Sequence, residues 1–148
     1  MVKNPNKVSL IIQEKMLKKI FPDSIVKRNM ENYLIWTHTL TPSHLSDSYK
    51  VKLYYAHTTG VKFYVTEPKL KLAVGKKQLP HTYSTEEQRL CLYYPDRREW
   101  NANMLYVKTI IPWACEWLYY YEIWAGTGEW YGGGVDHINR KNSNLNSD

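Results

Sequence analysis

Cys91 is the residue of this sequence whose type and setting point most directly to chemistry. It lies between two leucines, Leu90 and Leu92, and shortly before a Tyr-Pro-Asp turn signal at residues 94–96. A cysteine at the edge of a short apolar run, next to a polar loop, is both held and exposed, and nucleophilic thiol chemistry needs both properties. Taken on its own, this stretch favours the plainer interpretation of Cys91 as a small buried hydrophobe.

Length and composition narrow the class of protein. The 148 residues suffice for one domain with a hydrophobic core, which we expect at residues 1–138, followed by a disordered polar tail at 139–148. No apolar run approaches the roughly 20 residues of a membrane span. The N-terminus lacks the apolar segment of a signal peptide, and two cysteines do not make a disulfide framework. We therefore expect a cytoplasmic protein without membrane contact.

The charge distribution is basic. The chain has 20 Lys and Arg against 14 Asp and Glu, a net charge of +6, and much of the excess lies in lysine groups within residues 15–19 and 69–77. A basic surface favours acidic partners, including nucleic acid, and the 13 Tyr and 6 Trp could stack on bases. A solvated, solubilising surface is the commoner explanation of such lysines. Nucleic-acid binding is therefore our least supported hypothesis.

Hydrophobic periodicity predicts a helix and then a sheet. Residues 8–20 have helical spacing, with Ile12, Met16 and Ile20 on one face that Leu10 and Leu17 widen. The Phe-Pro-Asp sequence that follows stops the helix. Alternation with a period of two then predicts four strands, at residues 24–29, 32–41, 48–57 and 61–66. Short links between neighbouring strands imply an antiparallel four-stranded meander.

The second half of the chain is predicted to be an irregular crossover, bearing the cysteine, that leads into a helix over residues 112–125. Pro112 suits the first turn of that helix, and Gly126 is its expected C-cap. Four aromatic residues recur along it at spacings of four, four and three: Trp113, Trp117, Tyr121 and Trp124. The order of helix, meander, crossover and helix is an α+β layout.

This order of elements resembles the ubiquitin-conjugating enzyme fold. In that family a His-Pro-Asn tripeptide precedes a catalytic Cys-Leu pair, and a Trp follows. Here the His-Thr-Tyr sequence at residues 81–83 takes the place of the tripeptide, Cys91 and Leu92 that of the pair, and Trp100 that of the Trp. The family's Pro and Asn are absent. Since that Asn is linked to stabilising the oxyanion, Tyr83 stands where the oxyanion contact is expected.

Two longer segments are similar to a bacterial branch of this fold, the ubiquitin-conjugating-enzyme-like proteins of CBASS antiphage operons. Residues 81–100, HTYSTEEQRLCLYYPDRREW, resemble their cysteine region, and residues 110–137, IIPWACEWLYYYEIWAGTGEWYGGGVDH, resemble their C-terminal signature. The resemblance implies that a cysteine thioester carries the C-terminus of a cGAS-like nucleotidyltransferase (CD-NTase) to a lysine or another amine. Larger systems load the cysteine with an adenylating domain, for which this chain has no room, so it is similar to the small, stand-alone version.

The resemblance also implies roles for individual residues. Cys91 becomes the expected nucleophile, whose thiolate attacks an activated acyl carbon. We expect His81 to brace the loop before the cysteine rather than to act as a general base. Tyr83 has two open roles, as a hydrogen-bond donor to the oxyanion or as a brace that packs the loop. Asp96 and Glu99 would orient or deprotonate the amine, or be ordinary loop residues.

Other functions stay open. A non-catalytic binding module of the same fold, which holds the nucleotidyltransferase tail, is the alternative function, although the presence of Cys91 favours the enzyme. Cys115 and Trp100 are interpreted as structural. The glycines at 132–134 resemble a phosphate-binding loop only faintly, and His137 beyond them could gate the cysteine. The histidines and cysteines lack metal-ligand spacing, so we expect neither a metal nor another cofactor.

Overall fold

A computed structural model describes residues 7–94 and 98–133. An N-terminal helix precedes an antiparallel sheet, and a second helix follows it, so the predicted α+β layout is confirmed. The elements are α1 (Leu10–Ile20), β1 (Ile25–Asn29), β2 (Tyr33–Leu40), β3 (Tyr49–Ala56), β4 (Gly60–Glu67), β5 (Thr82–Ser84), β6 (Arg89–Leu90), a 3-10 helix (Tyr106–Lys108) and α2 (Ile110–Thr127). Among the described residues, no helix combines the length and apolar character of a membrane span.

The sheet has six strands in the order β1-β2-β3-β4-β6-β5, not the four that the sequence predicts. The meander of the first four strands is confirmed, with every neighbouring pair antiparallel. The extra hairpin lies in the segment predicted to be an irregular crossover, and it pairs with β4 through Phe63↔Leu90 and Tyr64↔Arg89. Strands of two and three residues are too short to show alternation in a sequence. This hairpin places Cys91 directly beyond the end of β6.

The core lies between one face of the sheet and the aromatic stripe of α2. Alternate residues of β2 and β3 are buried as predicted, and Trp36 and Leu53 are fully enclosed. From α2, Trp117 and Trp124 are buried in the same cluster, and the Tyr121 ring meets the ring of Tyr49 on β3 edge-on at 6.2 Å. Aromatic rings contribute a large apolar area per residue. They therefore fix α2 against the sheet beside the end of β6.

The predicted apolar face of α1 is confirmed only in part: Leu10 and Leu17 are buried and Met16 packs against the core, but the two isoleucines of that face do not. Ile12 and Ile20 are 44% and 50% exposed, and the buried residues of the helix are Leu10, Gln13 and Leu17. The Gln13 side chain is only 1% exposed: its Nε2 donates to the Met104 carbonyl at 2.9 Å. Its Oε1 accepts from a backbone N–H of the 3-10 helix at 3.0 Å. A pattern based on apolar residues cannot identify a glutamine that is buried because both ends of its amide are paired.

The ends of α2 also differ from prediction. The helix begins at Ile110 and runs to Thr127, with Pro112 in its first turn as expected. Its C-cap is Gly128 rather than Gly126, because Gly128 has the left-handed backbone (φ 80°) and donates its N–H to the Trp124 carbonyl at 2.7 Å. Two candidate glycines so close together cannot be distinguished by sequence, since the cap is decided by the backbone conformation.

Gln13→Leu tests the correction to α1. The substitution keeps most of the side-chain volume but leaves the Met104 carbonyl and the Tyr106 N–H unpaired. We expect the free energy of unfolding to fall by about 2 kcal/mol, measured by urea denaturation. Ile12→Ala is the matched control in the same helix and should cost less than about 1 kcal/mol, because its side chain is nearly half exposed. A larger loss for Ile12→Ala than for Gln13→Leu would contradict the assigned face.

Candidate active site

Cys91 is held through its backbone at the end of β6. Its N–H donates to the His81 carbonyl at 2.9 Å. The thiol donates to the Tyr93 carbonyl at a sulfur–oxygen distance of 3.5 Å, and the residue as a whole is 8% exposed. Cys91 nevertheless lines a surface cleft. The side chain is therefore recessed but borders a space that a reaction partner can enter.

His81 connects the cysteine to α2. Its carbonyl accepts two hydrogen bonds, one from the Cys91 N–H and one from the Trp117 Nε1–H at 3.1 Å. The His81 backbone is left-handed (φ 47°), a conformation that is uncommon outside glycine. The imidazole is buried, with its centroid 4.9 Å from that of the Trp130 ring. These contacts favour the interpretation of His81 as a brace over that of a general base.

Tyr83 is a second neighbour of the Cys91 thiol. It falls at the irregularity between β5 and β6, and its half-exposed side chain donates from the hydroxyl to the Tyr93 carbonyl at 3.3 Å. The Cys91 sulfur is the second hydrogen-bond partner of this hydroxyl, which has one hydrogen and donates it to the sulfur when the thiolate forms. The Arg89 guanidinium lies over the Tyr83 ring, 4.5 Å from its centroid. Tyr83 is thus packed as a brace, with its hydroxyl beside the sulfur.

Opposing influences act on the pKa of the Cys91 thiol. Burial is the largest and raises that pKa, because it disfavours the thiolate. Hydrogen bonds with the Tyr83 hydroxyl and the Tyr93 backbone lower it, the Glu99 carboxylate raises it, and the Arg89 guanidinium lowers it. The net pKa is above the ordinary value for cysteine. The resting residue is therefore a protonated thiol at neutral pH.

The cleft beside Cys91 has a volume of about 430 Å³ and is largely aromatic. We call it the aromatic cleft. Besides Cys91 and His81, the described residues that line it include four aromatic residues and two acids: Trp113, Trp117, Tyr120, Trp130, Glu99 and Glu116. The helix α2 supplies most of these residues from successive turns of one side. Apart from the β5–β6 hairpin and the residues that follow it, the cleft is therefore built largely by α2 and by Trp130, which comes after α2.

Trp130 closes one side of the aromatic cleft. Its ring centroid lies 5.8 Å from that of Trp117 and 6.1 Å from that of Tyr120, and its Nε1–H donates to the Gly133 carbonyl at 3.1 Å. A Cβ at Gly132 would lie 2.8 Å from Tyr120 Cδ2 and 2.9 Å from Trp130 Cζ2, closer than atoms pack. Glycine at this position is what allows the indole to lie against α2.

The whole sequence from residue 13 to residue 138 matches a protein-family model described as "Type II CBASS E2 protein". The chain belongs to this family. No curated protein matches it. Family membership supports an E2-like role in CBASS antiphage defence, and it implies an operon partner such as a CD-NTase.

In this E2 family member, the structure brings together three of the residues singled out from sequence: Cys91, His81 and Tyr83. Glu99 joins them, because it lines the aromatic cleft and accepts from the Tyr94 N–H at 3.2 Å. Asp96, His137, Gly134 and the tail at 139–148 lie outside the described residues.

The residues interpreted as structural lie elsewhere in this E2 family member. Trp100 is partly buried, stacks on Tyr106 with centroids 6.1 Å apart, and donates from Nε1 to Thr109 Oγ1 at 3.2 Å. Cys115 is half-buried on α2, and burial raises its thiol pKa. Among the described residues, no group of three or more His, Cys, Asp or Glu could hold a metal ion.

Sequence reasoning did not single out Glu116, Tyr120 or Trp130 as site residues. The available signal was the C-terminal family signature, which contains all three. Helical spacing also puts Glu116 and Tyr120 on one side of α2, four residues apart. Their position beside the cysteine hairpin depends on the packing of α2 against the sheet, which the sequence does not reveal.

Alkylation tests the electrostatics of the thiol. In a Cys115→Ser background, the rate of reaction of Cys91 with iodoacetamide should keep rising above the ordinary cysteine pKa of about 8.5, since the thiolate is the reacting species. Tyr83→Phe removes a hydrogen bond that lowers the pKa of Cys91, so it should slow alkylation at pH 8. Tyr33→Phe, an exposed tyrosine on β2, is the matched control. Unchanged or faster alkylation of Tyr83→Phe would contradict this electrostatic role.

Gly132→Ala tests the close contact at Trp130. The added methyl group should displace the Trp130 ring, because it would lie under 3 Å from ring atoms of both Tyr120 and Trp130. We expect the Nε1–H resonance of Trp130 to shift and broaden in ¹H–¹⁵N correlation spectra. Gly126→Ala is the control, since a Cβ there meets open space and the residue lies within α2. An unmoved Trp130 resonance in Gly132→Ala would show that the contact is not restrictive.

Proposed function

We propose that Cys91 carries the C-terminus of a cGAS-like nucleotidyltransferase as a thioester and passes it to an amine. The observation that supports this most directly is the position of the thiol: it borders the aromatic cleft while its backbone is clamped by the His81 carbonyl. A clamped backbone keeps the sulfur in one place as partners exchange, which is the requirement for a carrier. The family match supports the same role in CBASS.

The proposed chemistry has two acyl transfers. The Cys91 thiol loses its proton and attacks the carbonyl carbon of an activated C-terminus, so that a C–S bond forms and the donor's leaving group departs with the electron pair. An amine then attacks the thioester carbon, a C–N bond forms, and Cys91 leaves as a thiolate that regains a proton. The donor must be activated, as another thioester is, because a free carboxylate is weakly electrophilic and has no suitable leaving group.

Tyr83 and His81 would have different tasks in this reaction. The Tyr83 hydroxyl lies beside the sulfur and is the protein donor best placed to bind the oxyanion of either tetrahedral intermediate. This assigns Tyr83 the place of the family's Asn. His81 would act as a positioning residue, through its carbonyl rather than its imidazole. Asp96 or Glu99 would orient the amine.

One observation favours the alternative function as a non-catalytic module. Cys91 is only 8% exposed, and burial raises the pKa of its thiol, as for an inert structural cysteine. A module would use the same aromatic cleft to hold the nucleotidyltransferase tail without a covalent bond. The two functions therefore differ in whether the complex is covalent.

Co-expression with the operon's nucleotidyltransferase, followed by non-reducing electrophoresis, distinguishes these functions. We expect a covalent band that both a thiol reductant and neutral hydroxylamine remove; the hydroxylamine step separates a thioester from a disulfide. The band should be absent in Cys91→Ala and retained in Cys115→Ala, the matched control. Cys91→Ser should give an oxyester band that resists the reductant. A stable complex with no covalent band in wild type would instead support the binding module.

A further inference from the structure

The aromatic cleft differs in charge from the chain as a whole. The chain has a net charge of +6, yet the described residues that line the cleft include two carboxylates, Glu99 and Glu116, and no lysine or arginine. A partner entering the cleft therefore meets negative charge within an otherwise basic protein. Such a site favours cationic over anionic groups.

The two carboxylates differ in their contacts with the rest of the described structure. One oxygen of Glu99 accepts from the Tyr94 N–H, which fixes that side chain at the cleft. Glu116 is exposed on α2, and within residues 7–94 and 98–133 its carboxylate forms neither a hydrogen bond nor an ion pair. Glu99 also disfavours the thiolate of Cys91. A carboxylate that disfavours the thiolate does not help Cys91 to react, so we interpret Glu99 as a group that interacts with the acceptor instead.

The aromatic residues complete a site for an ammonium group on an apolar stem. The rings of Trp113, Tyr120 and Trp130 line the cleft together with the carboxylates. The faces of indole and phenol rings attract cations, and their area covers methylene groups. Trp130 is held in place by its tilted ring contact with Tyr120 and by the Gly133 carbonyl. The cleft therefore offers the side chain of lysine both negative charge and apolar ring surface.

We infer that the aromatic cleft binds the acceptor as a protonated primary amine, with Glu116 as a specificity-determining residue and Glu99 as a second countercharge. This inference rests on the proposed function, since it names the acceptor for the thioester on Cys91. The bound ammonium must give one proton to water before its nitrogen attacks the thioester carbon. The C–N bond then forms, the C–S bond breaks, and the electron pair returns to the sulfur of Cys91.

The experiment begins with chemical loading of the full chain. A synthetic peptide with the C-terminal sequence of the operon's nucleotidyltransferase, activated as a small-molecule alkyl thioester, acylates Cys91 by thiol exchange. The loaded protein is then discharged at constant pH by either of two nucleophiles, and its decay is followed by intact mass. Nα-acetyl-lysine amide is cationic near neutral pH, whereas hydroxylamine is uncharged and serves as the internal control for the thioester.

Glu116→Gln should raise the concentration of the lysine derivative that gives half-maximal discharge by about two- to fivefold, as for loss of a partly exposed ion pair. Its maximal rate and its discharge by hydroxylamine should be unchanged. The double variant with Glu99→Gln should raise that concentration further, and added salt should reduce the difference from wild type. Glu87→Gln, an exposed glutamate on the β5–β6 turn, is the matched control and should match wild type.

Three results would overturn the inference alone, and a fourth would overturn the proposed function with it. Equal half-maximal concentrations for wild type and the double variant would show that the cleft does not select the cation. A change confined to the maximal rate would make Glu116 a proton acceptor rather than a binding residue. Slower loading by the peptide, with unchanged discharge, would place the acyl tail in the cleft instead. Failure of the peptide thioester to acylate wild-type Cys91 at all would contradict the proposed function itself, and with it this inference.

Discussion

One backbone carbonyl, that of His81, connects the parts of this site. It accepts from the Cys91 N–H at the end of β6 and from the Trp117 indole on α2. The first bond fixes where the cysteine leaves the sheet, and the second fixes the helix that supplies most of the aromatic cleft. A carbonyl has two lone pairs, so one oxygen can hold both elements. The left-handed backbone of His81 aims that oxygen and is maintained by the packing around it.

The electrostatics of the site divide between the two sides of the sulfur. On one side are Tyr83 and Arg89, whose hydroxyl and positive charge favour the thiolate. On the cleft side, Glu99 disfavours it, and burial does so more strongly. With these neighbours, the pKa of the Cys91 thiol is raised, so the thiol is favoured over the thiolate. This arrangement suits a carrier that must resist unwanted alkylation or oxidation and yet react with a bound donor.

Much of the fold could be predicted from the sequence, because its signals are strong where the elements are long. The period-two alternation predicted the strands β2 and β3, and residues on one face of each, such as Trp36 and Leu53, are buried. The short hairpin of β5 and β6 could not be predicted, since its pairing depends on the edge of β4. On α1, Leu10 and Leu17 were predicted correctly, but Gln13 could not be, because it is a polar residue whose partners lie far along the chain.

The candidate site, like the fold, could be predicted only in part from the sequence. Cys91, His81 and Tyr83 could be singled out from their order in the chain and from a family resemblance, and the structure places them together. Glu116 and Trp130 become site residues only through tertiary packing, because α2 must first be fixed against the sheet before its side faces the hairpin. Gly132 likewise acquires its importance from the rings that lie against it.

The central claim is that the Cys91 sulfur becomes covalently acylated by the nucleotidyltransferase C-terminus. Peptide mapping by tandem mass spectrometry, on the complex isolated from co-expression without reductant, measures this directly. We expect the C-terminal residue of the nucleotidyltransferase to be joined to the peptide that contains Cys91, with the mass of a thioester, one water less than the sum of the two. Attachment at Cys115 or at a lysine alone, or an isolated complex in which Cys91 is always unmodified, would contradict it.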